Sequence, residues 1–138
     1  MILNFENYIT ANGRHPNFLN SFPEDYRANA MKIIALASEL ASLAGFTITD
    51  VTSGYRTPEF NKSINGSASS KHCFAQAIDI ADPTLFFGSW LATNEGALRE
   101  RGCAIESLKT THASQNPAGC WVHIQSVIPA SGNVVFEP

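Results

Sequence analysis

His72, Asp79 and His123 are the residues of this sequence whose types and spacing point most directly to chemistry. Asp79 sits between two isoleucines in the short apolar run QAIDIA. A carboxylate in such a place costs several kcal/mol unless it is paired, hydrogen-bonded or bound to a cation. His72 precedes it in the polar stretch GSASSKH, and His123 lies far downstream in CWVHIQ. Two neutral imidazoles and one carboxylate suit catalytic zinc, which takes three protein ligands and keeps a fourth position for water. Such a donor set leaves the ion net positive, so that it promotes ionisation of that water near neutral pH. The spacing alone is not specific, and a hydrogen-bonded core histidine stays open as the plainer account of either imidazole.

These three residues need elements to bring them together. QAIDIADP alternates and stops at Asp82-Pro83, which predicts a strand with Asp79 on the face of Ala77 and Ala81 and with Ile78 and Ile80 opposite. CWVHIQSV predicts another, with Trp121, His123 and Gln125 on one face and Cys120, Val122 and Ile124 on the other. If the two strands are neighbours, Asp79 and His123 meet on one face, and His72 reaches them from the preceding loop.

The remaining segments follow from caps and periodicity. Residues 1 to about 20 read as an irregular arm or short helix. Pro23 opens a helix whose apolar positions Tyr26, Ala30, Ile33, Ala37, Leu40 and Ala44 recur at helical spacing, and Gly45 ends it. FTITDVTSGYR reads as a strand running into a turn at Gly54. Thr57 caps a short helix with Pro58 at its first position, closed by Asn65-Gly66. Residues 84 to 101 are helical in parts, interrupted near Gly88 and Asn94, with Gly102 as a cap. CAIESL is a further strand, separated from CWVHIQSV by the long loop KTTHASQNPAG, and VVFEP is a short closing strand. This order predicts one α+β domain over residues 1–138, with a central, mainly antiparallel sheet packed by helices.

Composition excludes several function classes. The 138 residues carry 44% hydrophobic and 15% charged residues, the balance of a globular chain rather than a disordered one. A formal net charge of −3 and the lack of any Lys/Arg cluster argue against nucleic-acid binding. No run of about 18 apolar residues predicts a membrane span, and the first 18 residues show no leader-like pattern. Three cysteines, Cys73, Cys103 and Cys120, include no CxxC pair and indicate neither a disulfide framework nor a four-cysteine zinc site.

The stretch SGYRTPEFNKSINGSASSKHCFAQAIDIAD followed by WVHIQ resembles the zinc D-alanyl-D-alanine carboxypeptidase family. That family includes phage endolysins cutting peptidoglycan stem peptides between L-alanine and D-glutamate. Its pattern is SGYR, then S-x-H-x-x-G-x-A-x-D, then Trp-x-His; Ser53 to Arg56, Ser70, His72, Ala77, Asp79, Trp121 and His123 match it over about residues 46 to 136. The resemblance implies a hedgehog/D-Ala-D-Ala-peptidase-like fold and one zinc ion bound by His72, Asp79 and His123. It also implies that Arg56 and Ser70 line the site, Arg56 holding a substrate carboxylate or a developing oxyanion, tasks that suit a guanidinium.

Two positions depart from the pattern. Ala75 replaces the usual glycine. Cys120 stands where several members carry their acidic general base, and strand alternation points it away from His123, as a small buried hydrophobe. Glu106, the one acid in CAIESL and matched by a Glu in similar relatives, is then the expected base, taking a proton from the attacking water and passing it to the leaving amine. A half-exposed strand Glu is the plainer account of it. His15 and His112 are expected to be solvated, Cys73 to be a buried neighbour of His72, and Phe86, Phe87 and Trp90 to build core. The expected activity is zinc-dependent L-alanyl-D-glutamate endopeptidase action on peptidoglycan peptides, by a monomeric phage lysin held in the cytoplasm until release to the cell wall, or by a bacterial homologue. The alternatives are a D,D-carboxypeptidase and a non-catalytic zinc-containing wall-binding or structural module.

Overall fold

The computed structural model describes residues 1–138. Six helices and a five-stranded sheet alternate along it: α1 (Phe5–Thr10), α2 (Arg27–Ala44), β1 (Val51–Ser53), α3 (Pro58–Ser63), β2 (Ala77–Ala81), α4 (Phe86–Thr93), α5 (Glu95–Glu100), β3 (Ala104–Glu106), α6 (Leu108–Thr111), β4 (Trp121–Gln125) and β5 (Val135–Phe136). Strand order is β1-β2-β4-β3-β5, antiparallel throughout except for the parallel pair β3 and β5. The fold is α+β with a mainly antiparallel sheet, as the sequence predicts.

Local chemistry explains most boundaries. Asn4 and Asn7 cap α1 reciprocally, each side chain accepting from the other's backbone N–H. Glu24–Tyr26 form a tight 3₁₀ turn, and α2 starts at Arg27 rather than at Pro23, because Pro23 has an extended ψ of 127°. α2 ends where expected, at Gly45, whose φ of 68° is open to a residue without Cβ. Its buried stripe from Ala30 to Ala44 packs on the core that also holds Ile78, Ile80, Val122 and Ile124 from the sheet. Each such fully buried aliphatic side chain contributes about 1.5–3 kcal/mol.

Three further boundaries differ from expectation. β1 is confined to Val51–Ser53; just before it, Asp50 O still accepts from Ala81 N, while the Asp50 carboxylate pairs with Arg14 and Asn12 of the amino-terminal arm. α4 runs through Gly88 without a break, the interruption falling only at Asn94. Gly88 is there for close approach, since a Cβ would lie 2.6 Å from the His112 ring. The long loop after β3 holds α6, capped by the Ser107 hydroxyl, and a 3₁₀ turn at Pro117–Gly119.

Candidate metal centre

β2 and β4 are direct neighbours, and Asp79 is the cross-strand partner of His123. The same register points Ile78 and Ile80 with Val122 and Ile124 into the core, leaving the opposite face to Asp79, His123 and Gln125. His72 arrives from the 3₁₀ turn Lys71–Phe74, whose first backbone donor is capped by the Ser70 hydroxyl. Ala75 ends that turn with φ 55°, a left-handed conformation costing a residue with a Cβ about 1 kcal/mol. Glycine at this position is free of that strain, and the buried alanine here retains the turn nonetheless.

His72 Nε2 lies 3.2 Å and His123 Nδ1 2.9 Å from Asp79 Oδ1, and one donor atom from each residue falls within 4.8 Å of the others. The rest of the hydrogen bonding fixes which nitrogen carries a proton. His72 Nδ1 is 2.8 Å from the Gly54 carbonyl, which only accepts, so Nδ1–H points there and the Nε2 lone pair faces Asp79. Gln125 donates its amide to Val127 O at 2.7 Å, which turns its Oε1 toward His123 Nε2 at 3.0 Å. His123 therefore carries its proton on Nε2 and presents the Nδ1 lone pair to Asp79. Two nitrogen lone pairs and a carboxylate oxygen thus converge with no hydrogen between them. That arrangement needs either an added proton or a cation at its centre, and a divalent ion with nitrogen and oxygen ligands fits it.

The electrostatics agree. Burial by itself raises the Asp79 carboxyl, yet His72 and His123 outweigh it and hold Asp79 far below the usual carboxylate range. Burial pushes His72 down. It also pulls on His123, but the hydrogen bond that Asp79 can accept, the Asp79 charge and Glu106 together hold His123 above its ordinary value. The raised proton affinity of His123 marks the point where a cation would serve all three groups.

The other expected site residues gather around the same cleft, a volume of about 490 Å³ lined by Arg56, Ser70, Glu106 and the three clustered residues among others. Arg56 is pinned on three sides: Nε donates to Ser53 Oγ at 3.0 Å, Nη1 to Asn61 Oδ1 at 3.2 Å, and Nη2 lies 3.7 Å from Asp79 Oδ2. Glu106 ends β3, whose Ile105 is opposite Ile124 of β4, and its Oε1 comes within 3.8 Å of His123 Nδ1. Burial raises the Glu106 carboxyl above its ordinary value, making its ionised form a stronger base. Cys120 is 2% exposed, on the opposite strand face, with its thiol 3.7 Å from Ser114 O and outside the cluster. Cys73 is buried beside His72, and all three cysteines are free thiols.

Two histidines depart from the solvated loops predicted for them. His112 Nε2 lies 2.8 Å from Asp82 Oδ2 in an almost fully enclosed pair. His15 packs its ring 4.9 Å from Phe60 and keeps an unpartnered, buried Nδ1. Phe87 and Trp90 do pack in or against the core, whereas Phe86 is largely exposed. The residues that sequence reasoning passed over are Gly54 and Gln125, the hydrogen-bond partners that orient the two imidazoles. Gly54 has a steric reason as well, because a Cβ there would fall 1.9 Å from Tyr8 O. For Gln125 the signal was present: alternation in WVHIQ sets it on the face of His123.

No helix is long and apolar enough to cross a membrane. No curated protein and no solved structure matches the chain significantly. The sequence pattern of the Peptidase M15 family does match, over residues 22–113, a span that contains Arg56, Ser70, His72, Asp79 and Glu106. That is well over half of the chain, and His123 joins the matched residues through the register of β2 with β4. The family's members are typically zinc-dependent, and the cluster of His72, Asp79 and His123 is compatible with a bound metal ion. The chain accordingly belongs to the Peptidase M15 family and is a metallopeptidase.

Proposed function

We propose that this metallopeptidase cuts peptidoglycan stem peptides between L-alanine and D-glutamate, with one zinc ion held by His72, Asp79 and His123. The observation that carries the reading is the convergence of three proton-free donor atoms beside a raised-pKa carboxylate, Glu106, in one open cleft. Zinc bound there supplies Lewis-acid polarisation of the scissile carbonyl and a lowered pKa for water. Glu106 takes the proton of the attacking water and returns it to the departing amine. Arg56, fixed by Ser53, Asn61 and Asp79, holds a substrate carboxylate or the developing oxyanion without having to reorganise. Ser70 lines the cleft while its hydroxyl caps the turn that delivers His72.

Mass spectrometry of purified peptidoglycan digested by the zinc-loaded protein, beside a chelated control, tests the activity. New amino termini at D-glutamate are expected. Loss of only a terminal D-alanine replaces the endopeptidase by a D,D-carboxypeptidase, and no chelator-sensitive product on several wall types replaces the enzyme by a binding module. Glu106→Gln tests the base: full metal content with turnover reduced by about 10²–10⁴-fold is expected. Unchanged turnover would assign the proton transfer to another group.

A further inference from the structure

Loop 66–74 is a partition with a different cleft on each side. Ser67, Ser69, Ser70, Lys71 and His72 face the candidate metal centre, while Gly66, Ala68, Cys73 and Phe74 face a second cleft of about 800 Å³. That second cleft, larger than the first, has aromatic walls. Phe74 is 39% exposed for so large an apolar side chain, and Tyr26 meets it edge-on with ring centroids 6.0 Å apart. Tyr55 forms the floor; its ring is locked edge-on against Phe22 and Phe18.

Two observations indicate a ligand rather than a bare apolar groove. Tyr55 is only 2% exposed, lines the cleft, and gives its hydroxyl no partner in the protein, whereas the buried Tyr8 donates its own to Ala77 O at 3.0 Å. The Tyr55 oxygen is not among the enclosed polar atoms that lack a partner, so it opens to the cleft and is free to bond a ligand there. The cleft is also joined to the active-site side through Asn61, which lines it, is nearly fully buried, and bonds both Arg56 Nη1 at 3.2 Å and Ser67 O at 2.9 Å. Among the lining groups Lys62 is the one charge, with asparagines, two phenols and no carboxylate beside it. Aromatic faces, amide and hydroxyl groups and a lone cation match a ring with an apolar C–H face and neutral polar substituents. They do not match a cationic segment.

We propose that this second cleft binds an N-acetylated amino sugar of the glycan strand that carries the stem peptide, so that one substrate molecule straddles loop 66–74. The proposal rests on the peptidoglycan reading and deepens it. In that substrate the sugar is joined to the first peptide residue, so the scissile bond after this residue lies only about 7 Å of extended chain from the sugar. Consecutive residues of the loop, His72 and Cys73, line the first and the second cleft respectively, so the two clefts are neighbours.

The test uses the full chain and tri-N-acetylchitotriose as the probe. Titration followed by NMR is expected to shift Tyr26, Tyr55, Lys62 and Phe74 with a Kd on the order of 1 mM. Phe74→Ser, at an exposed position, and Tyr55→Phe, which removes one oxygen, are expected to weaken that binding several-fold while zinc content stays at that of wild type. In parallel, kcat/KM is compared for a disaccharide-bearing muropeptide and the same peptide without sugar. A roughly tenfold advantage for the former, erased by Phe74→Ser with the sugar-free rate unchanged, is the expected result. Shifts confined elsewhere, no saturable binding, or equal rates on the two substrates would overturn the proposal. If neither substrate is cut, the peptidase reading fails by itself, and the sugar titration still decides the cleft.

Discussion

Asp79 and Asp82 lie near the end of one strand, both buried, both against histidine, and they are opposite in kind. Asp82 Oδ1 accepts from Phe87 N at 3.0 Å, and Oδ2 accepts from Gly88 N and His112 Nε2, each at 2.8 Å. Every contact brings a hydrogen, so the carboxylate is satisfied, closes the first turn of α4 and ties α6 to it. Asp79 instead faces two imidazole nitrogens whose protons are committed elsewhere, to Gly54 O and Gln125 Oε1. An acid beside histidines is thus no sign of a metal site until the hydrogens have been assigned. The pair in which they are missing is the one that awaits a cation.

The largest expected effects break this contrast directly. Asp79→Ala should lower bound zinc to well below one equivalent and abolish turnover, while shifting the unfolding of the metal-free chain less than its counterpart does. Asp82→Ala should keep the metal and destabilise the fold by about 3 kcal/mol or more, because it strands two helix N–H groups and a buried imidazole. Metal analysis and urea unfolding of the two variants side by side check both halves. If Asp82→Ala strips zinc as completely as Asp79→Ala, the division between structural and ligating acid is wrong.

A smaller effect sharpens the same point. Gln125→Leu removes the acceptor that keeps the His123 proton on Nε2 but leaves all three donor atoms in place. Zinc affinity, measured by competition with a chelator, should weaken by about 10–100-fold. The imidazole ¹⁵N spectrum of the metal-free protein should show His123 losing its single tautomer. Unchanged affinity with an unchanged spectrum would mean that strand geometry alone orients the ring.

The contrast also explains what the sequence reveals of this molecule and what it conceals. Asp79, His123 and Gln125 share a face because side chains alternate along strands, and α2 is marked by its apolar period and by Gly45, so these are visible from short stretches. Glu106 is recognisable as an acid in an apolar segment, although its 3.8 Å approach to His123 comes from the β3–β4 register. The Asp82–His112 pair spans 30 residues and has no local pattern; each partner by itself resembles a turn or loop residue. The contacts of Asp50 are of the same kind, because its carboxylate is claimed by Arg14 and Asn12 from a distant part of the chain. Periodicity and caps report the elements, and contacts between them decide where unpaired polar groups find partners.

His15 extends the comparison to an imidazole with no acid at all. Its ring lies against Phe60, its Nδ1 is buried without a partner, and burial, reinforced by the Arg56 charge, lowers its pKa to about 4. The unfolded chain holds the ordinary value near 6.5, so between those two values the unfolded state binds a proton that the folded state refuses. Stability should therefore be unaffected by this group above about pH 6.5 and fall as the pH drops toward 4. The ring is only half buried, so solvent screening reduces the effect to about 1 kcal/mol. His15→Phe keeps the aromatic contact and removes the titration. Urea midpoints of the metal-free proteins at pH 7 and pH 4.5 should show wild type losing more stability than the variant, by that amount. An equal loss in both would place the proton demand elsewhere, in the Asp79 cluster, where an acid waits beside the imidazoles.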